Sequence, residues 1–590
     1  MIPGRSSVDG KDSMSAERPA RRARLDLWLA AGVALIAGLT FLPALGAGFV
    51  EWDDEISIYL NPHIRHLDWA SLRWMFTDVH YNPRYMPLTW LDWALTYRLV
   101  GLRPFAYHLG SVLLHAANAL LLFGFIRRLR SGDTIHNSAV PAGIGTELCM
   151  VSPDLPARVS LAAALGALFW AVHPLRAEPV GWATDRSYPQ ALCFLLIALH
   201  LYLSAVVPAR GAGRPRLAYW GAVAAFACAV LSYPIVLGGA AVLLVLDVYP
   251  LRRFSDGYAS ATARNIYLEK LPFVLVSAGT LVMTLWSRMA VQHIWSPPVG
   301  LEQFSAAARV MQAFYVYAYY LWRPFVPVGL SPVYTTLVSF RPSDAPFVAS
   351  LLLVVAVSAI AVALRRRCPL LLAAWICHLV LLAPSLGLTE HPHFTSDRYA
   401  YVQGTLWAVL VAAGLQALWS APIRRTIALW AYGAAGLYAA VLGVLAFRQV
   451  TIWHDSVRLF THMIDTLGED PYREDIHMRL GDLFMRRREW ELARRSFDEV
   501  LQLAPGHREG RFQRGVAELH LARFDEARVD LEAVLRKRSD PRAHNFLGLA
   551  LWQLGRIDEA AAHFREALRE KPDFIEAKEN LARLERSTPH

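Results

Sequence analysis

Of 590 residues only five are cysteines, and charged residues make up just 18% of the chain. Cys149, Cys193, Cys228, Cys368 and Cys377 lie mostly inside apolar segments and show no CxxC pair or ligand spacing. That excludes a disulfide framework and a cysteine zinc site. So little charge beside 55% hydrophobic residues and a mean hydropathy of +0.29 excludes a soluble protein of this length. Acidic residues are the scarcer sign, leaving a net charge of +10. Many arginines stand in short clusters beside apolar runs, which is the pattern of membrane topology and not of nucleic-acid binding. The chain reads as a polytopic membrane protein whose first partner is the lipid bilayer, with no nucleic-acid partner.

What is present is a series of bilayer-length apolar runs. Segments 25–45, 105–125, 158–173, 186–207, 217–233, 234–249, 270–289, 346–364, 369–387, 398–419 and 425–447 predict about 11 helical spans in a membrane domain over 25–450. Residues 1–24, rich in Ser, Pro and Arg, read as a disordered cytoplasmic tail, because the arginines at 18–24 hold the start of the first span inside. The clusters Arg210/Arg214/Arg216, Arg252/Arg253, Arg365/Arg366/Arg367 and Arg424/Arg425 then fall on the same side. This holds if 307–321, followed by Pro324 and Pro327, is interfacial or re-entrant and does not cross. The first loop, 46–104, is then extracytoplasmic, and its Trp69, Trp74, Tyr81 and Tyr85 suit a membrane interface. His115 and Asn118, three apart in the second span, read as interhelical hydrogen-bond formers.

Glu51, Asp53, Asp54 and Glu55 crowd four carboxylates immediately after the first span. Such crowding raises at least one pKa unless a cation neutralises the group, the setting of a general base or a divalent-metal site. The competing interpretation is a solvated acidic loop. Two later extracytoplasmic loops collect further polar residues: His173, Glu178, Asp185 and Arg186 in one, and Glu390, His391, His393, Asp397 and Arg398 in the other. Arginine at a membrane surface suits a lipid phosphate through bidentate hydrogen bonds. Carboxylates can deprotonate a hydroxyl or hold a metal. Against this stands ion pairing that merely closes the loops, as for Asp185/Arg186 and Asp397/Arg398. His391 and His393 without a third ligand are a weak metal signal.

From residue 453 the chain turns polar and periodic. Gly481, Gly515 and Gly548 recur at 34- and 33-residue spacings, as do Ala493, Ala527 and Ala560, and Phe497, Leu531 and Phe564. This is the signature of tetratricopeptide repeats over 453–586, with a half repeat at 453–471 followed by three repeats. With eleven spans before them, the repeats lie outside the cytoplasm, and their concave face suits a protein or peptide acceptor.

The shared order of several short motifs carries a family resemblance. After the acidic cluster come Pro87-Leu88-Thr89, Tyr107-His108-Leu109, Leu114-His115-Ala116-Ala117-Asn118, and His173-Pro174 with Glu178. Asp247-Val248-Tyr249-Pro250-Leu251, Asp397-Arg398-Tyr399-Ala400-Tyr401 and the repeats follow. From about Phe49 onward the chain resembles the transmembrane and tetratricopeptide repeat-containing O-mannosyltransferases and their bacterial relatives. The resemblance implies an all-α C-type glycosyltransferase fold in a bacterial inner membrane. It also implies a polyprenyl-phosphate sugar donor, mannose being one candidate sugar. By that similarity the acidic pair falls on Asp53 and Asp54 and the late arginine motif on Arg398. On this reading Asp53 is the general base on the acceptor hydroxyl or shares a metal ion with Asp54, and Arg398 together with Arg186 holds the donor phosphate. The chain departs from the family at Met86, where Arg is common, and at Tyr233, where Lys is common. Both changes remove a cation, leave Arg84 as a substitute, and sustain an alternative in which the fold is a non-catalytic membrane scaffold.

Overall fold

A computed structural model describes residues 9–130, 156–207, 214–291, 299–388, 390–420 and 425–587. Its named elements are all helices, and one isolated antiparallel bridge joins Tyr334 to Thr395. The chain divides into two compact units, Met1–Asp455 and Ser456–His590.

In the first unit, seven helices are long and apolar enough to cross a membrane, or up to nine if each of two bent pairs is one span. The expected count of eleven is not reached by such helices among the described residues. The spans expected at 234–249 and 369–387 are the shorter apolar helices Pro234–Val248 and Pro369–Ser385. At 1.5 Å per residue these extend only about 22–26 Å, less than the ~30 Å hydrocarbon core. The segment at 307–321 is the 17-residue helix Ala306–Trp322, started by the Ser305 side chain accepting from the Ala308 N–H. The first helix begins at Asp9, inside the segment read as a tail. Its Ala, Arg, Glu and Lys content favours helix. Residues 1–8 of that tail lie outside the described residues.

Two bends interrupt the helices of the first unit. Ala157–Ala171 and Pro174–Gly181 meet at 60°, where Pro174 cannot continue the incoming helix. Asp397–Gln403 and Thr405–Trp419 meet at 53°. At that second bend Gly404 is required, since an added Cβ would overlap the Arg176 guanidinium and the Ala400 carbonyl. Arg176 Nη1 donates to Ala400 O at 2.6 Å, so the two bends face and hold each other. Deeper in the bundle His115 bridges Tyr401 OH and Ala171 O at 2.9 and 2.8 Å, while Asn118 Nδ2 donates to Pro189 O at 2.8 Å. Both polar side chains serve interhelical bonding.

The second unit stacks three helical hairpins, Arg473–Arg486 with Trp490–Leu503, Arg508–His520 with Phe524–Lys537, and Pro541–Gln553 with Ile557–Glu570. Helices Ser456–Leu467 and Ile575–Ser587 flank them. Each repeated glycine lies where its helix crosses the next: Gly481 against Phe497, Gly515 against Leu531, Gly548 against Phe564. Ala493, Ala527 and Ala560 are fully buried. Trp453 lies in the first unit, where its ring stacks on Trp182 at 5.2 Å.

Candidate functional site

The acidic cluster is a tight turn leading into the short helix Glu55–Tyr59. Asp54 is fully buried, and both of its oxygens are occupied. Oδ2 accepts the Val50 N–H at 2.9 Å, while Oδ1 accepts the Thr184 N–H at 2.9 Å and hydroxyl at 2.6 Å. Burial pushes its carboxyl up to about 7, against the lowering effect of those donors. Asp54 therefore staples the acidic turn to residue 184. Its neighbour Asp53 is half-buried and faces a narrow recess lined also by Arg84, Thr184, Ser187 and Tyr233. Glu51 and Glu55 are half-buried in the same turn but do not line that recess.

The arginines differ as sharply. Arg186 is buried and committed: Nη1 donates to Asp92 at 2.6 Å and to Thr96 at 3.0 Å, and Nη2 to the Ala106 and Tyr107 carbonyls. Arg398 donates through its backbone N–H to Glu178 at 2.9 Å and through Nη1 to the other oxygen of the same carboxylate. Its Nε lies 3.9 Å from Asp185. The expected pairing of chain neighbours is thus replaced by pairing across elements. Asp185 faces Arg398, and Asp397 accepts from Tyr334 OH at 2.8 Å. His173 has both nitrogens engaged, accepting from the Leu175 N–H and lying 2.8 Å from Pro324 O. It caps the bend. His391 stacks on Phe304 at 4.6 Å.

Unlike Arg186 and Arg398, Arg84 lines open space. Together with Pro83 and Tyr233 it lines both the Asp53 recess and a cavity of about 540 Å³. Its guanidinium lies 6.0 Å from the centre of the Tyr233 ring. Tyr233 and Arg84 thus lie together where recess and cavity meet. The large cavity also holds Arg288, Glu390, His393 and Tyr399. His393 Nδ1 is 3.1 Å from Glu390, whose other oxygen lies 3.4 Å from Arg288 Nε. Burial alone would raise the Glu390 carboxyl, but His393, Arg288 and Arg84 bring it below its ordinary value. Leu281 and Leu285 form another wall and are 45% and 49% exposed on the candidate span Ala261–Ala290, so in a bilayer that side gives onto lipid.

Sequence reasoning placed Glu390 and His393 in a polar extracytoplasmic loop but did not assign Arg288 to the site. A charge within an apolar span, as at Arg288, was the available signal. Asp54 already receives three donors, and no group of three His, Cys, Asp or Glu gathers at Asp53 among the described residues.

The tetratricopeptide repeat family model matches residues 478–536 and 521–573. The chain is similar to "Protein O-mannosyl-transferase Tmtc1" of Drosophila melanogaster, 30% identical over 196 residues, which are 31% of this chain and 19% of that protein. It is also similar to "Protein O-mannosyl-transferase TMTC2" of Homo sapiens, 25% identical over 311 residues, 49% of this chain and 33% of that protein. The chain thus spans a fifth to a third of the length of these relatives. Among solved structures, ArnT from Cupriavidus metallidurans bound to undecaprenyl phosphate matches with 15% identity, 77% of this chain, 80% of that chain and a TM-score of 0.35. The OM64 TPR domain of Arabidopsis matches at 27% identity, 20% of this chain, 96% of that chain and a TM-score of 0.19. The chain is a multi-span helical membrane protein carrying tetratricopeptide repeats.

Proposed function

We propose that the membrane unit transfers a sugar, mannose being the first candidate, from a polyprenyl-phosphate donor to a hydroxyl of a protein or other acceptor at the extracytoplasmic face. The observation that carries this reading is the cavity whose wall changes from Arg84, Arg288, Glu390 and His393 to the lipid-facing Leu281 and Leu285. A phosphate joined to a long apolar chain needs both surfaces at once. The similarity to O-mannosyl-transferases supports the same class of chemistry.

In this mechanism Asp53 takes the acceptor hydroxyl's proton, and the freed oxygen attacks the anomeric carbon. The bond from that carbon to the phosphate oxygen breaks, and polyprenyl phosphate leaves with inversion at the sugar. Arg84, at the junction of recess and cavity, stabilises the charge developing on the phosphate. Arg398 moves from phosphate ligand to positioning residue, since Glu178 already holds it. The repeats present the acceptor.

The ion pairs of Arg186 and Arg398 favour the second reading, a non-catalytic scaffold. The experiment that separates the two reconstitutes wild type and Asp53→Asn with a polyprenyl-phosphate mannose and follows sugar release to acceptor or water. Transfer by wild type that falls on the order of a hundred-fold or more in the variant supports the mechanism. Equal turnover removes Asp53, and no turnover with any donor tried favours the scaffold.

A further inference from the structure

We propose that the last full repeat is a binding site for a divalent transition-metal ion of the zinc class, held between helices Pro541–Gln553 and Ile557–Glu570 by His544, Glu566 and Glu570. A ring nitrogen of His544 and one carboxylate oxygen from each glutamate lie within 4.8 Å of one another. His563, Glu566 and Glu570 are spaced three and four apart and share one face of the second helix. Nδ1 of His563 is 2.9 Å from Nδ1 of His544 across the hairpin, which brings a second imidazole to the edge of the triad. Ser539 Oγ lies 3.0 Å from Nε2 of His544, so a metal bound through Nδ1 would leave that ring-orienting contact in place.

The charges there are arranged at a cost that a cation relieves. Glu566 and Glu570 stand four apart, a spacing at which like charges destabilise a helix. Glu570 is also the helix's last residue, where the negative end of the helix dipole disfavours an anion. At Glu566, Arg569 already offsets this by gripping both carboxylate oxygens, one through Nε at 2.8 Å and the other through Nη2, but it is exposed, and such a surface pair is weak enough to yield an oxygen. Imidazole mixed with carboxylate suits Zn²⁺ at bonds of about 2.0–2.2 Å, whereas Mg²⁺ prefers an all-oxygen octahedron. The two glutamates are half-exposed, so the ion enters from water on the glutamate side and small rotamer changes close the ligand set.

The test uses the full-length protein in detergent, stripped with EDTA and titrated with Zn²⁺ by calorimetry in excess Mg²⁺. One saturable site is expected in wild type, with affinity lowered roughly tenfold or more in His544→Ala and in Glu570→Gln. Zn²⁺ should raise the unfolding midpoint of the repeats in wild type and in neither variant. Glu570→Gln keeps the size of a half-exposed side chain, so it separates lost binding from lost folding. Co²⁺ in the same site should show no thiolate charge-transfer band, which sets this site apart from the cysteines of the membrane unit. The proposal is overturned if wild type takes up no stoichiometric zinc, if either variant binds as tightly, or if cobalt reports sulfur ligands.

Discussion

Replacing Asp54 by Asn keeps the size of the side chain but turns one oxygen into an NH₂ group facing an N–H donor at Val50 or at Thr184. A buried donor left facing a donor costs about 1–3 kcal/mol, so Asp54→Asn is expected to lower the melting temperature in detergent. Asp53→Asn should leave melting almost unchanged while lowering transfer by roughly a hundred- to ten-thousand-fold. Sequence density made the cluster legible as a candidate site with Asp53 as its base, yet did not show that Asp54 would be held by three donors. Two of those come from Thr184, 130 residues away. For the same reason Glu178 was legible as a polar loop residue but not as the partner of Arg398, 220 positions later. In the repeats, burial and then Asp530 push the Glu518 carboxyl up to about 7, with Arg514 opposing. A folded-state value above the ordinary 4.5 means that the folded repeats bind this proton more readily than the unfolded chain. The stability it confers is complete below about pH 4.5 and is lost as pH rises to about 7, by up to roughly 3 kcal/mol. Urea midpoints of segment 456–587 at pH 5 and pH 8 should show this fall, and Glu518→Gln should flatten it.

At the level of the helix, the glycines of the repeats set two effects against each other. Alanine in a helix interior gains about 1 kcal/mol over glycine, whereas overpacking a filled crossing costs about 1–3 kcal/mol. At Gly481 an added Cβ overlaps the fully buried Phe497 ring, so the clash wins and Gly481→Ala is expected to destabilise. At Gly515 the nearest atom is Leu531 Cγ at 3.1 Å, so the effects nearly cancel and Gly515→Ala should be close to neutral. Urea unfolding of the repeat segment checks the order, and equal effects at both sites would contradict it. These crossings explain why the period was legible: one packing geometry imposes the same small residue at each recurrence. The bends in the membrane unit were harder to see. Pro174 marks one, but Gly404 lies inside an otherwise continuous apolar run, and its reason is the Arg176 guanidinium arriving from a distant segment.

For the molecule as a whole, the parity of crossings decides on which side of the membrane the repeats work. Seven long helices, or nine with the two bent pairs, are odd counts. Adding both short helices Pro234–Val248 and Pro369–Ser385 keeps the count odd. Each short helix falls below the thickness of the hydrocarbon core, so a crossing there requires local thinning or tilted neighbours. The arginine clusters at 210–216, 252–253, 365–367 and 424–425 share the side of the N-terminal arginines when both short helices cross and Ala306–Trp322 does not. With the N-terminus in the cytoplasm, that arrangement puts His590 outside, on the face where Asp53 opens. A reporter active only outside the cytoplasm, fused after His590, should therefore be active, and one active only inside should be silent. The reverse result means an even number of crossings, with either one short helix failing to cross or Ala306–Trp322 crossing. Fusions after Asp256 and after Arg341 then tell these apart, because the first reports on Pro234–Val248 and the second on Ala306–Trp322. A cytoplasmic His590 would also separate the repeats from the acceptor face and remove their role in presenting acceptor, while leaving the cavity chemistry of Asp53 and Arg84 to stand by itself.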